Sequence, residues 1–129
     1  MFNKTIRILS RHMTYSEGTH IIFTLDQIEE LKLKSMNDFK SFTLDVLNEM
    51  KLSVVGYTEH NFDNNGFTIS ICLKESHICI HTWPEYKLLN MDIYLCNYLN
   101  DNTALTHSLY EKFKLYFDGS VRKEIILKR

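Results

Sequence analysis

Phe67-Thr68-Ile69-Ser70-Ile71-Cys72-Leu73 alternates apolar with small or polar residues, and after Lys74-Glu75 the stretch Ser76-His77-Ile78-Cys79-Ile80-His81-Thr82 alternates again. A period of two is the signature of a strand with one buried face. In the second stretch Ser76, Ile78, Ile80 and Thr82 share one face, and His77, Cys79 and His81 share the other. Upstream, Asp63-Asn64-Asn65-Gly66 is a turn signal, because Asn and Gly tolerate positive φ. It predicts a hairpin between the Phe67 strand and a strand over Leu52–Thr58. Downstream, Trp83-Pro84-Glu85-Tyr86 separates the second stretch from a strand over Met91–Cys96.

The rest of the chain fits around this sheet. Thr5–Leu9 reads as a short strand. His20–Leu25 reads as another, after the turn residues Glu17-Gly18. Asp26–Lys34 is a short helix or an irregular crossing. Asn37 or Asp38 caps a helix running to about Met50, with Phe39, Phe42, Val46, Leu47 and Met50 on one face. Asn100-Asp101-Asn102 caps a second helix to about Phe117, whose apolar face is Leu105, Leu109, Phe113 and Tyr116. Asp118-Gly119 ends it, and Val121–Leu127 closes the chain as a strand. The expected fold is α+β: a two-layer α/β sandwich, a mostly antiparallel sheet with two main helices on one face. Residues 1–129 form a single domain.

Composition narrows the function. Apolar residues make up 44% and charged residues 24%, ordinary values for a globular chain, and net charge is −1. No block of like charge points to nucleic acid or a membrane surface. No apolar run approaches a bilayer span, and the N-terminus lacks the apolar core of a signal peptide. Cys72, Cys79 and Cys96 are odd in number and scattered through apolar stretches, which fits reduced thiols in the cytoplasm. Their spacing suggests no zinc site, and no metal is expected. Richness in Asn, Lys, Ile, Tyr and Phe fits an AT-rich genome such as a phage's.

The chemistry is concentrated in Glu75-Ser76-His77-Ile78-Cys79-Ile80-His81-Thr82-Trp83-Pro84-Glu85-Tyr86. Two His, a Ser, two carboxylates, a Thr and a Trp crowd into one stretch between apolar strands. Singly, each is ordinary: a surface serine, strand histidines, a rigid Trp-Pro turn. Ser76 and His81 would meet only if the chain bends at Glu75–Ser76, and a strained junction there is where self-cleavage would occur.

This segment closely resembles the self-processing site of prokaryotic S-adenosylmethionine decarboxylases, which are pyruvoyl-dependent. Gly18-Thr19-His20 resembles the family's early G-x-H strand. His60-Asn61-Phe62 resembles its F-H-x-F segment, with Glu59 in place of the first Phe. Gly66-Phe67-Thr68 is similar to its G-x-S, and Asp92-Ile93-Tyr94-Leu95-Cys96 to its D-[IV]-[FY]-x-C strand.

The resemblance implies a proenzyme that cuts itself between Glu75 and Ser76, giving a beta chain 1–75 and an alpha chain 76–129 with a pyruvoyl N-terminus. Ser76 attacks the Glu75 carbonyl, His81 moves the Ser76 α-proton, and Thr68 supports processing in place of a family Ser. The pyruvoyl group derived from Ser76 then forms a Schiff base with the substrate amine and acts as electron sink. Cys96 matches the proton donor, a role that suits a thiol near neutral pH. Phe62, Glu85 and Trp83 are the implied substrate-binding residues. The implied activity is decarboxylation of S-adenosylmethionine, supplying the aminopropyl donor for spermidine synthesis, by a homodimer of processed protomers. Two alternatives stand beside it. One is a pyruvoyl-dependent ornithine or arginine decarboxylase on the same fold, with Glu59 or Glu85 meeting the distal cation. The other is an uncleaved, non-catalytic regulatory paralogue, which would be expected to lack Ser76 or His81. Departures from the family lie at Leu25–Glu30 and at Asn97, where Gly is usual. They touch regions that can line the pocket, not the processing residues.

Overall fold

The structure, a computed structural model, describes residues 15–129. The strand expected over Thr5–Leu9 lies outside the described residues. In chain order the elements are β1 (Thr19–Asp26), α1 (Glu30–Leu33), α2 (Met36–Glu49), β2 (Val54–Asn61), β3 (Phe67–Leu73), β4 (His77–Trp83), a 3₁₀ turn (Pro84–Tyr86), β5 (Leu88–Leu95), α3 (Thr103–Phe117) and β6 (Ser120–Lys128). The six strands form one sheet in the order β2-β3-β4-β5-β1-β6. Every neighbouring pair is antiparallel. The two-layer α+β expectation holds, with an antiparallel sheet throughout.

Alternation decides which face is buried. Ile21, Phe23 and Leu25 of β1, Phe67, Ile69 and Ile71 of β3, Ile78 and Ile80 of β4, and Leu89, Met91 and Ile93 of β5 all turn to one side and are buried. The helices cover that side. Phe39 of α2 is the hub, with Phe67, Phe113, Tyr116 and Phe117 packed around its ring at centroid distances of 5.5 to 6.0 Å. Such offset aromatic contacts add to the area they bury. Thr82, on the same face, is buried and tied in, accepting the Phe67 amide at 2.9 Å and donating to the Leu33 carbonyl at 2.8 Å. The opposite face carries Thr68, Ser70, His77, Cys79, His81, Asp92 and Tyr94, and no helix among the described residues covers it.

Two helix expectations are corrected in detail. Helix α2 begins at Met36, so Asn37 and Asp38 lie inside its first turn. Its N-cap is Ser35, whose hydroxyl bonds to the Leu31 carbonyl instead of capping. Asp38 there still favours the helix electrostatically. In α3 the buried stripe is Thr106, Leu109, Tyr110, Phe113 and Phe117, while Leu105 and Tyr116 are only partly buried. Helix α3 ends at Asp118, which takes the left-handed φ of 50° itself. Gly119 serves close approach instead: a Cβ there would come within 2.8 Å of the Asp26 carbonyl oxygen and 2.7 Å of Ile28. Gly18 serves β5 in the same way, since a Cβ would strike the Leu95 carbonyl and come within 3.0 Å of Cys96 Cα.

Candidate active site

Lys74 and Glu75 make a two-residue turn between β3 and β4, closed by a hydrogen bond from the Leu73 amide to the Ser76 carbonyl at 2.9 Å. The Glu75–Ser76 peptide bond is therefore where the chain leaves a tight turn and enters a strand. Neither residue has a left-handed φ, so the junction is sharp without that form of strain.

Register brings Cys96 to this turn. His77 pairs with Tyr94 across β4 and β5, which sets Ser76 beside the end of β5. The Cys96 amide donates to Ser76 Oγ at 3.0 Å, and the Cys96 thiol donates to Glu75 Oε2 at 3.2 Å. The loop after Cys96 is held by asparagines. Asn102 Nδ2 donates to the Cys96 carbonyl at 2.9 Å, Asn97 Oδ1 accepts the Asn102 amide at 2.7 Å, and Asn97 Nδ2 donates to the Glu17 carbonyl at 2.8 Å. Asn102 was legible as a helix cap. Its side chain instead serves Cys96, and Asp101 accepts the Thr103 amide at 3.0 Å. The Thr103 hydrogen bonds hold the Asp101 carboxyl below its usual range. Two open clefts, of about 740 and 250 Å³, flank Glu75 and Ser76.

The remaining residues gather at the other end of β4. Thr68 and His81 are paired across β3 and β4, and Thr68 Oγ1 lies 2.8 Å from His81 Nδ1. Trp83 follows on the same face, its ring 6.2 Å from that of His81. Phe62, Thr68, His81, Trp83 and Glu85 line one cleft of about 470 Å³. Glu85 accepts a hydrogen bond from Asn64 Nδ2 at 2.7 Å, while Asn64 Oδ1 accepts the Gly66 amide at 2.9 Å. The sequence marks Asn64 only as part of a turn. It is exposed, but it also braces Glu85.

The two groups do not meet within the chain. Five residue steps of extended strand separate Ser76 from His81, roughly 17 Å at about 3.4 Å per step. The turn at Lys74-Glu75 reverses the chain before Ser76 and brings His81 no nearer. Glu59 belongs to neither group. It sits on the helix side of β2, where Lys40 Nζ is 2.8 Å from its carboxylate.

A sequence model of the family described as S-adenosylmethionine decarboxylase matches residues 19–116. This chain belongs to the S-adenosylmethionine decarboxylase family. The S-adenosylmethionine decarboxylase proenzyme of Archaeoglobus fulgidus is 34% identical over 97 residues, covering 75% of this chain and 87% of that one. The proenzyme of Thermodesulfovibrio yellowstonii is 29% identical over 82 residues, covering 64% of this chain and 61% of its own length, so less than two-thirds of that relative is matched. The crystal structure of the adenosylmethionine decarboxylase from Aquifex aeolicus shares the fold, with a TM-score of 0.72 at 21% identity over 90% of this chain and 91% of that one. The matched S-adenosylmethionine decarboxylase span runs from β1 into α3 and contains both groups of residues. Among the described residues, no helix is long and apolar enough to cross a membrane.

Proposed function

We propose that this chain is a proenzyme that cuts itself between Glu75 and Ser76 and then decarboxylates S-adenosylmethionine with a pyruvoyl group made from Ser76. The observation that carries the reading is the meeting of Ser76, Cys96 and Glu75 at the β3–β4 turn. In the cut, Ser76 Oγ adds to the Glu75 carbonyl carbon. The peptide C–N bond breaks, its nitrogen gains a proton, and an ester results. His81 takes the Ser76 α-proton, and the Cβ–Oγ bond breaks to release residues 1–75 as a carboxylate. Water then replaces nitrogen at position 76, and ammonia leaves. Thr68 engages Nδ1 of His81, which leaves Nε2 for the proton.

His81 cannot reach its own Ser76, so this reading requires two copies of the chain. Each lends the His81 end of its sheet to the other's Ser76 turn. The uncovered sheet face supports such pairing, since Ile22, Ile125 and Trp83 are exposed on it.

The Ser76 position suits a ketone, because the Cys96 thiol lies beside it. That ketone supplies the electron sink for loss of carbon dioxide. Cys96 returns a proton to the substrate carbon. Phe62 and Trp83 offer aromatic faces to adenine, and Glu85 offers acceptors to the ribose hydroxyls. A basic amino acid would have only Glu85 for its distal cation, because Glu59 faces α2 and is already paired with Lys40. The product would be the aminopropyl donor for spermidine synthesis. Free thiols at Cys72, Cys79 and Cys96 fit a cytoplasmic enzyme.

Intact mass under denaturing conditions tests the cut. The expected result is residues 1–75 plus a pyruvoyl-started 76–129; a chain that stays whole on long incubation overturns the reading. Carbon dioxide release is then compared across S-adenosylmethionine, ornithine and arginine, and faster release from either amino acid would replace the substrate assignment.

A further inference from the structure

We propose that His20, His77 and Asp92 form a binding site for a divalent transition-metal ion of the zinc type. The three residues come from β1, β4 and β5. Tyr94 of β5 pairs with His20 on one side and His77 on the other, and Asp92 lies two positions along the same face. The two imidazoles and the carboxylate therefore converge on the uncovered side of the sheet. No step of the proposed reaction uses them.

Their spacing fits ligands of one ion. His20 Nε2 is 3.6 Å from one Asp92 oxygen, and His77 Nε2 is 3.3 Å from the other. The ligand atoms all lie within 4.8 Å of one another. A tetrahedral zinc ion with bonds of about 2.0–2.2 Å holds its ligands about 3.4 Å apart. His20 is 5% exposed, yet among the described residues its Nε2 has no hydrogen-bond partner, and neither does Asp92 Oδ1. A buried polar atom left so is costly, and an ion between these groups satisfies both atoms at once. Two imidazoles with a single carboxylate suit zinc and its neighbours better than magnesium or calcium, which favour all-oxygen shells.

The surroundings are consistent with loading. Tyr94 packs its ring against both imidazoles, at 5.6 and 5.8 Å. In the single chain His77 and Asp92 are partly exposed. Arg129 Nη1 lies 3.4 Å from His20 Nδ1. Metal on Nε2 puts the proton on Nδ1, so this contact opens on loading, while the guanidinium keeps its place over the Tyr94 ring.

The test is titration of chelator-stripped protein with Co²⁺, followed by displacement with Zn²⁺. Expected are one ion per chain, a visible spectrum of tetrahedral cobalt without a thiolate charge-transfer band, and affinity lower by at least about tenfold in His77→Gln. Asp92→Asn is the second variant, and melting curves of both check that they fold. Absence of saturable binding overturns the proposal. So does a thiolate band, which would assign the ion to cysteines, or unchanged affinity in both folded variants. None of these outcomes depends on whether the chain cuts itself.

Discussion

The Cys96 amide donates to Ser76 Oγ, so the Cys96 side chain can be changed while that bond is kept. Ser76→Ala should leave a single uncut chain by denaturing mass spectrometry, with no carbon dioxide release. Cys96→Ala keeps the amide that bonds to Ser76 Oγ. It should still cut, but turn over at least about 100-fold more slowly; unchanged turnover would remove the thiol from the chemistry. Thr68→Val removes the hydroxyl at His81 Nδ1 and should slow cutting on a time course, whereas Thr68→Ser should preserve it. His20 gives a pH signature. Its folded pKa lies below the unfolded value of about 6.5. The unfolded chain therefore takes up a proton first as pH falls. The contribution of neutral His20 is complete above about pH 6.5 and is lost as pH drops through that value toward the lower folded one. Thermal melting of metal-free protein should fall between pH 7.5 and pH 5, and His20→Gln should flatten that dependence.

Strands were easier to read than helices, and particular residues show why. In β3 and β4 one buried residue follows every second position, so Ile69, Ile71, Ile78 and Ile80 declare the face. On a helix the stripe is broad, and exposed or half-exposed apolar residues blur it. Tyr116 and Leu105 looked central in α3, but Thr106, Tyr110 and Phe117 take the buried positions. A threonine under the helix gives no apolar signal at all. Ser35 was missed as the start of α2 because its hydroxyl is spent on Leu31 and leaves Asn37 and Asp38 as the conspicuous caps. The core prediction belongs here: Phe113→Ala, in the cluster around Phe39, should cost about 3–5 kcal/mol in denaturant unfolding. Leu115→Ala, on the exposed side of the same helix, should stay within about 0.5 kcal/mol.

At the scale of the whole molecule, the sequence placed Ser76 and His81 in one short motif, and the fold sets them at opposite ends of a strand. Nearness in a motif says nothing of distance once the segment is extended. The metal ligands proposed above show the converse, since positions 20, 77 and 92 form no spacing pattern and meet only through sheet order. Mixed chains test the division of the site. Co-expressing Ser76→Ala with His81→Ala should restore cutting, confined to the His81→Ala chain, if the partner supplies the histidine; no cutting in verified mixed dimers would sink the shared site. The strand order carries a last consequence. A cut after Glu75 assigns β1, β2 and β3 to one piece and β4, β5 and β6 to the other, yet β1 lies between β5 and β6. The pieces are interlaced like the fingers of two hands. Separating them means unzipping three ladders, so the nicked molecule should survive dilution as one particle. Once melted, each protomer must reassemble from two strangers: recovery of its fold should be independent of concentration before the cut and second-order after it.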